Sequence, residues 1–201
     1  MAATRSATPV PSADAGWANP AAIGLLGFGL TTMVTGLANT GNLGVGLVPV
    51  LGLALVFGGM AQLIAGFVAL YKGEIFAGTA FVSYGAFWMA VFAMNTYIPA
   101  SSSLTGGNNG MLAFWGVWTL VTITFVINAP KHGLGVSATF FLLIIAFLLL
   151  DANAWMVANG HANANFAIAM GWEIFATGLV AWLTATAVVT NANYGRRILP
   201  L

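Results

Sequence analysis

Six apolar runs dominate this chain: Pro20–Asn39, Val45–Tyr71, Ile75–Ile98, Met111–Asn128, Leu134–Val157 and Asn165–Thr190. Each is near the ~20 residues that carry an α-helix across the ~30 Å hydrocarbon core of a bilayer. In that medium every backbone N–H and C=O must be satisfied internally, so a span is either a helix or a strand of a closed barrel. Barrel strands would be shorter and would alternate strictly between polar and apolar residues; these runs do neither. The expected fold is an all-α membrane protein of six transmembrane helices. Charge agrees, because only 4% of residues are charged, against ~25% in soluble domains. That is too little to clothe a surface facing water.

Turn chemistry separates the runs. Asn39, Gly41, Asn42 and Gly44 mark the first loop, a Ser-, Gly- and Asn-rich stretch over Pro99–Gly110 marks the third, Pro130 the fourth and Gly160 the fifth. No loop is long enough for a soluble domain. The reading is therefore a disordered tail over residues 1–16 and one six-helix domain over residues 17–201. If the spans alternate, all five basic residues fall on one side: Arg5, Lys72, Lys131, Arg196 and Arg197. Cytoplasmic loops are the ones enriched in Lys and Arg. Both termini are thus expected in the cytoplasm, which also requires an even number of spans.

A path for a polar solute needs polar groups in rows along helix faces, recurring every three or four residues. Phe28, Thr31, Thr35 and Asn39 form one such row in the first span, with Thr32 beside it. Ala54, Gly58, Gln62 and Gly66 form one in the second, and Thr79 and Ser83 one in the third, with Tyr84 and Trp88 adjacent. Phe140, Leu143, Phe147 and Asp151 form one in the fifth, and Glu173, Thr177 and Thr184 one in the sixth. Small residues and threonines also serve simply to pack membrane helices closely. Gln62 is different, since a primary amide in hydrocarbon needs partners.

Asp151 and Glu173 are the only carboxylates inside the spans. Ionisable groups at that depth mark ion pathways or proton relays. The two flank one turn symmetrically, so an antiparallel hairpin sets them at similar depth and makes them candidates for proton coupling. The alternative is that Asp151 caps a helix break before Asn153. No basic residue lies inside the spans, so a carboxylate solute would be held by neutral donors and helix termini. Candidate donors are Thr31, Thr32, Gln62, Thr79, Ser83 and Asn153. His132 and His161 read as solvated loop residues. There is no cysteine, no metal-ligand spacing, no nucleophile–base pair and no phosphate-binding glycine loop. The expectation is a protein that is not an enzyme, takes no cofactor or metal, and, being near neutral, does not bind nucleic acid.

The run Asn19-Pro20-Ala21-Ala22-Ile23-Gly24-Leu25 resembles the Asn-Pro-Ala-Pro-Leu-Gly-Leu signature of the acetate uptake transporter family, the succinate–acetate permeases. The likeness continues at Gly27-Phe28-Gly29 with Thr31-Thr32 and at Gly58–Gly66. It is strongest over Gly78–Phe81 and Ser83–Trp88, and it includes Trp115-Gly116, Phe140–Leu143 and Leu199-Pro200-Leu201. It spans about Trp17 to Leu201. One departure is Ala22 in place of proline, which would pre-organise a helix start.

The resemblance implies a homo-hexamer of six-helix protomers in the plasma membrane, each moving acetate, succinate or a related small carboxylate, often with a proton. It implies a hydrophobic constriction at Phe28, Tyr84 and Leu143. Asn19 and Pro20 would shape the pore entry. It does not assign Asp151 or Glu173. An uncoupled anion channel of the same fold, or a membrane sensor or scaffold, are the rival expectations.

Overall fold

The structure is a computed structural model that describes residues 16–41, 43–97 and 109–200. The expected disordered tail, with Arg5, lies outside the described residues except for Gly16, as does nearly all of the Pro99–Gly110 loop.

Among the described residues, seven α-helices make six spans: α1 (Ala21–Asn39), α2 (Leu47–Leu55) and α3 (Gln62–Tyr71) joined by a π-helical turn (Val56–Ala61), α4 (Ile75–Tyr97), α5 (Asn109–Asn128) with a 3-10 turn (Ala129–His132), α6 (Leu134–Ala158) and α7 (Ala164–Tyr194). All six spans are long and apolar enough to cross a membrane, and the described residues contain no strand. Large apolar side chains point outward along them, among them Ile64, Phe67, Leu120, Ile127, Leu148 and Val189. That is the surface lipid requires.

Two details depart from the expected spans. The last helix runs on to Tyr194, past Thr190. Asn191 and Asn193 are weak helix formers, yet the helix ends only at Gly195, whose φ of 61° stops it in the left-handed region. The Asn191 side chain then accepts from the backbone N–H groups of Ile198 and Leu199 and folds the tail back. The second span is not uniformly α-helical. Its widened turn at Val56–Ala61 contains Gly58 and Gly59, where a missing Cβ tolerates the altered geometry. Single π-helical turns of this kind gather at functional sites.

The tightest seam joins α1 and α7. A Cβ on Gly29 would meet the Trp182 N and Gly178 O at 2.8 and 2.9 Å, and one on Gly178 would meet Gly29 O at 2.6 Å. Gly36 and Gly171 repeat the arrangement two turns along. Backbone meets backbone, as in other small-residue membrane interfaces. This seam fixes the first span against the last.

Candidate functional site

The odd-numbered spans start at one end of the molecule and run in the same direction, so matching positions lie at matching depth. Phe28 is seven residues into α1, and Tyr84 and Leu143 are each nine into α4 and α6. At ~1.5 Å per residue all three sit roughly 10–14 Å from the helix starts.

A cavity of about 260 Å³ occupies the half nearer the helix starts. It runs from Asn19, Glu74 and His132 at its outer end to Phe28, Tyr84 and Leu143, with Ala80, Phe140, Thr139 and Gln62 in its walls. A second cavity of about 60 Å³ continues on the other side, lined by Phe28, Leu143, Thr32, Thr35, Trp88 and Phe147 among others. Phe28 and Leu143 line both. Tyr84 lines the wider one and meets Phe28 edge to face at 5.7 Å. The walls step regularly along each odd span: residues 25, 28 and 32 on α1, 80, 84 and 88 on α4, and 140, 143 and 147 on α6. The sequence blocks that carry these residues fold so that they line one column, with the Phe28–Tyr84 contact and Leu143 partway along it.

The expected donors divide into two groups. Gln62 lines the wider cavity, and its Oε1 is buried without a hydrogen-bond partner. Thr32 lines the narrower cavity but donates to Phe28 O at 2.7 Å. Thr31 is fully buried, with Oγ1 unpartnered, in the seam against Gly58 and Trp88, whose Nε1 is also unpartnered. Gly58 makes this possible, since a Cβ there would fall 2.7 Å from Thr31 Oγ1. Thr79, Ser83 and Asn153 line neither cavity. On α4 the face toward the cavities carries Ala77, Ala80, Phe81 and Tyr84. Thr79 and Ser83, each one residue before a member of it, are turned ~100° away. Thr79 faces instead a side groove of about 660 Å³ with Thr124, Asn128 and His132.

Asn19 stands where the first helix begins, its Oδ1 accepting from Ala21 N–H at 2.9 Å, and Pro20 is the N-cap. His132, expected as a solvated loop residue, stacks on Phe76 with ring centroids 3.9 Å apart and lines both the wider cavity and the side groove. Its adjacency to Phe76 is a long-range contact that no local pattern announces.

The two intramembrane acids are not bonded to each other. Asp151 Oδ2 accepts from Thr119 Oγ1 on α5 at 2.6 Å, whereas Glu173 Oε1 accepts from Thr177 Oγ1 on its own helix at 3.1 Å. The second oxygen of each is buried and unpartnered. Helix α6 continues unbroken through Asn153 to Ala158, which overturns the alternative of a helix break capped by Asp151. The carbonyl ladder there is satisfied within the helix, leaving Asp151 to bond sideways.

Comparison with known proteins gives a consistent result. The sequence profile of the GPR1/FUN34/yaaH family matches residues 2–197. The chain is 32% identical over 186 residues to the succinate-acetate/proton symporter SatP of Escherichia coli K12, covering 92% of this chain and 95% of that one. It is 34% identical to ammonia transport outward protein 2 of Saccharomyces cerevisiae, covering 88% of this chain and 64% of that longer one. Among solved structures it superposes on the bacterial acetate channel SatP with a TM-score of 0.80, at 31% identity, covering 92% of this chain and 99% of that one.

Proposed function

Because this chain belongs to the GPR1/FUN34/yaaH family, we propose that it moves acetate and similar small carboxylates across a membrane, along the column formed by its odd-numbered spans. The observation that carries this reading is that Phe28 and Leu143 line both cavities, with Tyr84 packed edge to face on Phe28 in the wider one. A narrow apolar contact between two chambers passes small solutes and excludes bulk. The two relatives named for succinate and acetate supply the substrate class. Gln62 in the wider cavity, with an unpartnered amide oxygen and two N–H donors on the same side chain, is the strongest candidate to meet a carboxylate. Thr32 is next.

The finer reading follows the same lines. Transport is coupled to protons through Asp151 and Glu173, each of which keeps one buried carboxylate oxygen unpartnered. A buried, half-satisfied carboxyl is a natural holder of an exchangeable proton. The bias of the basic residues supports an orientation with both termini in the cytoplasm, and the membrane is read as the plasma membrane. The outward apolar faces of α3 and α5 suit neighbours in a homo-hexamer as well as lipid.

The test is uptake of labelled acetate into proteoliposomes of the purified protein, with and without an inward proton gradient at clamped voltage. Protein-free liposomes give the background of acid crossing lipid. Saturable flux above background is expected. Accumulation beyond electrochemical equilibrium, abolished in Glu173→Gln or Asp151→Asn, is the expected signature of coupling. Saturable flux that never accumulates would make this an uncoupled channel, the reading that the solved relative's description favours. Absence of flux above background would remove the acetate assignment, and ammonium flux in the same vesicles would then point to the substrate in the yeast relative's name.

A further inference from the structure

Tyr84 is held by a residue that never touches the wider cavity. Its hydroxyl lies 2.8 Å from Thr122 Oγ1 on α5, and both side chains are shut away from solvent, Thr122 at 0% and Tyr84 at 2% exposure. The direction of this bond can be worked out. A threonine hydroxyl has a single proton, and Thr122 gives it to the Trp118 carbonyl at 2.7 Å. The proton in the shared bond therefore comes from Tyr84, with Thr122 as acceptor. The face of α5 around it completes the seat. Trp118 and Phe125, one turn to either side, lie 6.1 and 5.7 Å from the Tyr84 ring, and Phe140 of α6 lies at 6.1 Å. These rings hold the body of the side chain, but only Thr122 gives its hydroxyl a partner.

We propose that Thr122 is a positioning and specificity-determining residue: by accepting the Tyr84 hydroxyl it holds that ring at the narrow point and thereby sets the largest acid that passes. This rests on the transport reading above. Without its acceptor, the tyrosine O–H would be left unpaired in an apolar surround, a state costly enough to displace it. The cavity that Tyr84 lines is the wider one, where Gln62 keeps an unpartnered oxygen. A ring that moves there leaves the contact with Phe28.

Valine replaces threonine with nearly the same shape and no hydroxyl, so it isolates the hydrogen bond. The readout is the ratio of propionate to acetate flux in proteoliposomes, which a purely structural role would not shift. In Thr122→Val that ratio is expected to rise by about fivefold, consistent with losing one buried hydrogen bond. Thr122→Ser, which keeps the acceptor, should stay within about twofold of the parent on the same scale. The decisive arm is a double-mutant cycle. With Tyr84→Phe there is no hydroxyl to hold, so adding Thr122→Val should change the ratio no further.

An unchanged ratio in Thr122→Val, or an equal shift with and without the Tyr84 hydroxyl, would overturn the proposal. If the valine variant does not fold, Thr122→Ala carries the same comparison, because it also lacks the acceptor. Failure of the transport reading itself is seen separately, as absence of acetate flux in the unmodified protein.

Discussion

Leu143→Ala is expected to raise the flux of three- and four-carbon monocarboxylates relative to acetate. Leu143 borders both cavities, so shortening it is expected to join them at the proposed constriction. One methylene in a fitted apolar site is worth ~1–3 kcal/mol of discrimination. Removing most of a leucine side chain should therefore raise butyrate flux relative to acetate by roughly tenfold or more. The competing outcome is plain loss of stability, since large-to-small changes in a packed core cost ~2–5 kcal/mol. Competition by unlabelled propionate and butyrate against labelled acetate, alongside a melting curve in detergent, separates the two. A folded variant with unchanged selectivity would count against Leu143 as part of the constriction.

The second large effect is structural. Gly36→Ala should disrupt the protein, although it adds only one methyl group to an apolar helix. The added Cβ would run into the Phe175 backbone nitrogen and lie 2.7 Å from Gly171 O. Both obstacles are main chain, so no rotamer change relieves them and the helix axes must part. Overpacking of a tight site costs ~1–3 kcal/mol and more where backbone must move. The expected result is a clear drop in melting temperature and in yield of folded protein. Gly52→Ala, in the same class of helix but with open space at the Cβ, should be tolerated and serves as the control. Equal behaviour of the two variants would show that the α1–α7 seam is less close than described.

Much of the column was legible before any coordinates. Phe28 and Thr35 of the first row, with Thr32 beside it, and Phe140, Leu143 and Phe147 of the fifth-span row line the cavities, because a helix presents every third or fourth residue to one side, whereas Thr31, Asn39 and Asp151 of the same rows do not. The third span was harder. Its polar pair, Thr79 and Ser83, marks one face, yet the neighbouring row of Ala80, Tyr84 and Trp88 lines the cavities. Its overall pattern is apolar on every side, so there is no amphipathic signal to orient it. Thr122 and the Phe76–His132 stack carried no signal at all, since each depends on a partner dozens of residues away.

What the chain alone determined follows from the bilayer as solvent. Backbone groups must be satisfied within each span, so run length and apolarity dictate helices and their number. The basic residues bias the proposed orientation, and the glycines permit close seams. Only the tertiary structure decided which faces meet. It sends Asp151 sideways to Thr119 rather than toward Glu173. It turns Thr79 out of the path, and it brings Phe28, Tyr84 and Leu143 to one level. Helix rotation about its own axis is set by packing against neighbours, through contacts such as Gly36 on Phe175 and Thr122 on Tyr84. When nearly every face is apolar, composition cannot choose among those rotations, and the fit of side chains between helices does.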